Sequence, residues 1–176
     1  RDETFEARSL IISTGVQAKK LGIPGEREFT GRGVSYCGVC DGPLFKDKDI
    51  IIVGGGNTAI EEALYLKRFA KNITVVHRRD SLRAAALLQE KAKADEKITF
   101  RWNAIPLEVI GKMRLEGLKI KDTKTSQEET LLASGVFIFV GSFPDTDILR
   151  GLVDLNSEGF ALADEDMASS MEGIFI

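Results

Sequence analysis

The chain has 176 residues, 43% apolar and 29% charged, with a formal net charge of −3 at pH 7. This is the balance of a globular protein with a core, and it gives no electrostatic reason to expect nucleic acid or an anionic membrane surface as a partner. No apolar run approaches the roughly 20 residues that span a bilayer, and a lone Cys-x-x-Cys suits a reducing compartment, so the expected location is the cytoplasm.

Residues 7–13 read as a buried strand, closed by Thr14-Gly15. Residues 16–32, rich in Gly, Pro and charge, read as a linker or surface loop holding a domain boundary. The segment Ser35-Tyr36-Cys37-Gly38-Val39-Cys40-Asp41-Gly42 then brings both cysteines of the chain. Such a pair can close into a small ring and exchange two electrons with another disulfide through its thiolate. Other readings stay open. Zinc wants four ligands, and only His77 could join the cysteines as a third soft one. A structural disulfide across two residues closes too short a loop to add much stability, and two inert buried thiols remain possible. Redox chemistry is the favoured reading.

Residues 49–53 form a continuous apolar run, as in a parallel strand buried on both faces. Gly54-Gly55-Gly56 follows, and residues 57–69 repeat apolar side chains at helical spacing. In Gly54-x-Gly56-x-x-Ala59, Gly54 allows the tight turn and Gly56 lets the backbone approach a pyrophosphate lying on the helix N-terminus. Ala59 lets helix and sheet pack closely. A plain strand-to-helix turn is the alternative. Residues 73–76 are the next strand. Ser81 is expected to cap a helix over residues 82–94.

At the end of that second strand an NAD site usually has an acidic residue for the ribose hydroxyls. Here stand His77-Arg78-Arg79, with Arg83 about one helical turn further on. Guanidiniums gathered there suit a 2′-phosphate, so NADPH is expected over NADH. A solvated basic turn is the alternative.

Residues 98–102, 107–110, 115–122 and 129–132 read as short strands of a β-meander, with Pro106 just ahead of the second. Residues 135–140 are another buried strand, and the chain closes on the apolar stretch 173–176. The expected class is α/β: a Rossmann-like FAD/NAD(P)-binding fold with a parallel sheet, helices and a β-meander. The chain reads as the middle of a longer protein.

Three motifs in this order resemble the low-molecular-weight thioredoxin reductases. They are residues 35–42, residues 54–63 (Gly-Gly-Gly-Asn-Thr-Ala-Ile-Glu-Glu-Ala) and residues 77–84 (His-Arg-Arg-Asp-Ser-Leu-Arg-Ala). Residues 11–15 and 141–146 are also in the family's style. The resemblance implies an FAD domain interrupted by an NADPH domain that carries the dithiol. Electrons would run from NADPH to FAD, then to the Cys37-Cys40 disulfide, then to thioredoxin or a thioredoxin-like protein, in a parent that forms a homodimer. Cys40 would face the flavin, Cys37 would attack thioredoxin, and Asp41 would protonate the departing thiolate. Arg78, Arg79 and Arg83, with His77 beside them, would hold the 2′-phosphate. Asn57, Thr58 and Glu61 would line the pyrophosphate and the helix entrance, and Gly141 is carried over as a cofactor contact.

The implied division is residues 1–20 and 142–176 as FAD-domain pieces around an NADPH domain at 21–141, inactive by itself. Gly38 replaces a residue often Ala or Pro and is expected to loosen the dithiol loop; Ser142 stands where the family often has His. A peroxiredoxin-feeding alkyl hydroperoxide reductase flavoprotein is the related alternative, disfavoured by the basic cluster. A redox-sensing nucleotide-binding module is the alternative from another class.

Overall fold

A computed structural model of the chain describes residues 3–176. These residues form two compact units. The larger runs from Lys20 to Val140; the smaller joins residues up to 19 with Gly141–Ile176. In chain order, β1 (Leu10–Ile11) and β2 (Val16–Ala18) lie in the smaller unit. The larger unit contains β3 (Val34–Ser35), α1 (Gly38–Asp41), β4 (Asp49–Gly54), α2 (Asn57–Leu66) and β5 (Asn72–Val76). It continues with α3 (Ala86–Lys93), β6 (Ile98–Arg101), β7 (Ala104–Gly111), β8 (Leu115–Asp122), β9 (Glu128–Leu132) and β10 (Gly135–Phe139). The smaller unit resumes with β11 (Ser142–Pro144) and β12 (Ile174–Phe175).

The larger unit is built on a five-stranded parallel sheet in the order β3-β10-β4-β5-β6. Strand β4 is central, and Ile50, Ile51, Ile52 and Val53 are buried, as a strand covered on both faces requires. Ile52, Ile60, Ala63, Leu66 and Phe137 join one core on the helical side; Ile51, Val53, Val109, Leu118 and Ile138 join another on the opposite face. That second face is covered by the antiparallel sheet β7-β8-β9. The chain runs on from β4 to β5 and β6 on one side, while β10 closes the other. This puts a switch in strand order beside the C-terminal end of β4, where α/β sheets hold ligands. The class is the Rossmann-like α/β fold expected. No described helix is long and apolar enough to cross a membrane.

Several expectations are corrected. Residues 98–101 belong to the parallel sheet beside β5 and not to the meander. Their alternation reflects one covered and one exposed face: Ile98 is buried and Phe100 half-buried, while Thr99 and Arg101 are exposed. Pro106 lies inside β7; that strand is an edge of its sheet, and a register irregularity between Pro106 and Glu108 accommodates the missing N–H. Strand β3 was not anticipated, because two residues carry no period. The helix expected over 82–94 starts only at Ala86, and Ser81 does not cap it. The reason is tertiary: Arg83 N donates to Gly55 O at 2.8 Å and Ala85 N to Asn57 Oδ1 at 2.8 Å, holding residues 81–85 in a non-helical path.

Residues 16–32 are more ordered than a linker. In the larger unit Glu26 is 3% exposed, and its carboxylate accepts from Leu21 N (2.9 Å), Gly22 N (2.7 Å) and Tyr36 Oη (2.8 Å). In the smaller unit β2 pairs antiparallel with β11. The buried strand expected over residues 7–13 is reduced to β1, paired in parallel with β12; Leu10 and Ile11 are exposed and only Ile12 is buried.

Candidate nucleotide and dithiol site

Strand β4 ends at Gly54, whose φ of +154° and close neighbours both call for glycine. A β-carbon there would stand 2.5 Å from Phe139 O and 2.7 Å from the Ala59 methyl. Gly54 and Ala59 therefore let β4, β10 and α2 converge, as the motif implied. A β-carbon on Gly55 would run into the His77 ring. Around Gly56, the N-cap residue of α2, that position is open, with no protein atom within 4 Å. The helix N-terminus is thus approachable at the residue where a phosphate would meet free backbone N–H groups.

A cavity of about 290 Å³ adjoins this turn, lined by Gly54, Gly55, His77, Arg78, Arg83 and Phe139 among others. Arg78 and Arg83 are exposed and reach it; Arg79 is exposed but does not line it. Among the described residues none of Arg78, Arg79 and Arg83 pairs with a carboxylate, so their charge is free for an anionic ligand. Arg83 is fixed by its backbone bond to Gly55, and the next turn is fixed by Asn57. The Asn57 side chain thus ties two loops together. Thr58 and Glu61 are exposed on α2.

His77 is 6% exposed and packs behind the loop, edge-on to Trp102 with ring centres 6.3 Å apart. Burial lowers its pKa below the ordinary value, and the positive charges of Arg79 and Arg83 add to that, against hydrogen bonds with the Ser81 and Gly54 backbone. His77 supports the glycine loop sterically, its ring filling the space beside Gly55.

The dithiol stands on the same unit. Cys37 and Cys40 form a disulfide, with their Cα atoms 5.3 Å apart. Ser35 shapes the approach: Cys37 N donates to Ser35 Oγ at 3.1 Å. Within the turn, Cys40 N donates to Cys37 Sγ at 3.2 Å. Cys40 is exposed and Cys37 half-buried, and Asp41 follows at the end of α1. Gly38 is buried against α2, where the Glu62 carboxyl occupies the space a β-carbon would need. The glycine lets α1 and α2 pack closely here. From Gly56 to Glu62 is six residues, about 9 Å along the helix axis at the usual rise. The dithiol turn on α1 therefore packs against the same helix whose N-terminus opens at the glycine loop. Gly141 lies in the smaller unit, with φ of +107° and its carbonyl accepting from Lys19 N at 2.9 Å.

Sequence reasoning missed Glu62, the Asn57–Ala85 link and the Phe139 wall. Phe139 could have been found from the strand order; the other two leave no local signal.

The profile of one family, Pyridine nucleotide-disulphide oxidoreductase, matches residues 1–176. Among curated proteins the chain is similar to a thioredoxin reductase of Streptomyces clavuligerus, 48% identical over 170 residues, covering 96% of this chain and 53% of that protein. A thioredoxin reductase of Listeria monocytogenes is 45% identical over 174 residues, covering 98% and 54%. Among solved structures, the Lactococcus lactis thioredoxin reductase in its FR conformation superimposes with a TM-score of 0.88 at 41% identity, covering 99% of this chain and 58% of that one. The chain thus spans a little over half the length of these relatives. With a match over all its residues, and with the glycine loop and disulfide that such chemistry needs, the chain belongs to the pyridine nucleotide-disulphide oxidoreductase family.

Proposed function

We propose that this chain is the NADPH-binding, dithiol-bearing part of a thioredoxin reductase, with residues 20–140 as its NADPH domain. The observation that carries the reading is the shared helix α2. Its N-terminus opens at the glycine loop beside Arg78 and Arg83, and in its later turns Glu62 and Leu66 pack against Gly38 of the Cys37–Cys40 turn. A site for a phosphorylated dinucleotide and a reducible disulfide packed on the same helix suit a protein that carries reducing equivalents from NADPH to sulfur. The names of its relatives support the same reading.

NADPH supplies a hydride, two electrons with one proton, when bound. The residues fit it: Gly56 leaves room at the helix N-terminus, and Arg78 and Arg83 offer unpaired guanidiniums toward a 2′-phosphate. Arg79, outside the cavity, is proposed as an outer contact. Thr58 and Glu61 flank the helix entrance, and Asn57 holds it in shape. Cys40 is the sulfur proposed to be reduced first, Cys37 the one that attacks the disulfide of thioredoxin or a thioredoxin-like protein. Asp41, next to Cys40, is the proposed acid for the leaving thiolate. FAD is implied by the resemblance as well. On that resemblance FAD is assigned to the longer parent, and Gly141 is proposed only as a contact there. A homodimeric parent and a cytoplasmic setting belong to the same proposal.

The test is the visible spectrum of the purified chain, followed by titration with NADPH and NADH. A colourless protein that binds NADPH in preference to NADH, with its disulfide left intact by NADPH alone, is the expected result. A flavin band that bleaches on adding NADPH overturns the assignment of FAD to the parent alone. Preference for NADH overturns the 2′-phosphate site and favours the alkyl hydroperoxide reductase type.

A further inference from the structure

A carboxyl group packed on the Cys37–Cys40 turn has no assigned task. Glu62 Oε2 is buried and has no hydrogen-bond partner among the described residues. It stands against Gly38, between the two cysteines, in the space a β-carbon would fill, with Glu62 Cδ 2.9 Å from that position. Leu66 closes the same niche from the next turn of α2. A carboxylate held there without donors is penalised, and burial raises the Glu62 pKa, with the neighbouring charge of Glu61 adding to the effect.

Few other charges reach the niche. Helix α1 brings Asp41, half-buried, and the two sulfurs. Helix α3 has Glu90, Lys91 and Lys93, all exposed. Strand β4 has only Asp49, exposed and accepting from Asn72, and β10 has none. No cation in these elements neutralises Glu62.

We propose that Glu62 is a positioning residue of the redox turn that takes up a proton when the Cys37–Cys40 disulfide opens. The proposal rests on the reading of that pair as redox-active. With dithiothreitol as reductant the balance closes. Its two thiols become a cyclic disulfide, releasing two electrons and two protons. The Cys37–Cys40 bond breaks, one sulfur leaves as a thiol with one proton, and the other remains a thiolate. The second proton goes to the Glu62 carboxylate, because a thiolate forming beside it disfavours a second negative charge. Glu62 thereby makes reduction easier as pH falls, beyond the dependence of the sulfurs themselves. Gly38 makes this possible by leaving room for the carboxyl.

The test is redox equilibration of the full chain with reduced and oxidised dithiothreitol across a pH series, the reduced fraction read by alkylation and mass spectrometry. In Glu62→Gln the side chain is neutral at every pH. Its reduction constant is expected to match wild type at low pH and to exceed it at high pH by about threefold to tenfold, up to about 30 mV for a two-electron couple. At pH values high enough to ionise Glu62 in the reduced wild type, the reduced variant is also expected to react faster with iodoacetamide, since its thiolate faces no carboxylate. Gly38→Ala, which displaces the Glu62 carboxyl, is expected to shift both readouts in the same direction. Identical pH profiles for wild type and both variants overturn the role of Glu62 while leaving the redox pair intact. A disulfide that dithiothreitol does not open reversibly overturns the redox reading itself and this proposal with it.

Discussion

Asn57, the first residue of α2, accepts a hydrogen bond through Oδ1 from the backbone N–H of Ala85 at 2.8 Å. One side chain thus ties the helix that opens at the glycine loop to the segment that presents Arg83. It replaces the Ser81 cap expected from the sequence and delays α3 to Ala86.

Asn57→Ala is expected to weaken NADPH binding without touching the ligand's phosphate. Losing one neutral hydrogen bond costs about 0.5–1.5 kcal/mol, roughly a threefold to tenfold rise in Kd. NADH should be affected less, because the bond positions Arg83. Fluorescence titration with both nucleotides checks it; equal losses would show that Asn57 serves only the helix start.

The arginines should separate by position. Arg78→Ala and Arg83→Ala are each expected to weaken NADPH about tenfold to hundredfold, from the loss of about 1.5–3 kcal/mol for a charged contact, with little effect on NADH. Arg79→Ala, outside the cavity, should cost less. Calorimetric titration of the three variants gives the ranking, and an Arg79 effect larger than the others would contradict the geometry.

Gly55→Ala drives a methyl group into the buried His77 ring. Overpacking of this kind costs about 1–3 kcal/mol, so the urea midpoint should fall. His77 adds a pH signature. Its folded-state pKa lies below the unfolded value near 6.5, so its contribution is present above pH 6.5 and is lost as pH falls through the folded pKa. Urea denaturation from pH 7.5 to about 5 should show this loss in wild type, and His77→Gln should flatten it.

Tyr36 gives the opposite sign at the other end of the scale. Burial, then the hydrogen bond and charge of Glu26, push its phenol from 10.0 up to about 12. The folded state keeps a proton that the unfolded state loses, so stability present below pH 10 should decline as pH rises toward 12. Spectrophotometric titration of the phenol and denaturation of Tyr36→Phe over that range check it. A phenol titrating at its ordinary value would mean that Glu26 does not engage it.

The sequence by itself determined the elements whose cause is local. Residues 49–59 announce strand, turn and helix because apolar run, glycines and helical spacing follow without a gap, and Gly54 and Ala59 stand where close packing requires them. Cys37 and Cys40 are near enough along the chain that their pairing needs no distant contact. What only the tertiary structure decided depends on residues far apart in sequence. Residues 98–101 join the parallel sheet because β5 offers a free edge, and residues 81–85 leave the helix because Gly55 and Asn57 bind their N–H groups. The His77 pKa is lowered because the ring is buried behind Gly55, and Glu62 meets Gly38 because α1 packs on α2. Periodicity reports which face of an element is apolar. It does not report which distant backbone group or side chain fills the space opposite, and at this site those contacts set the charge and position of the groups that matter.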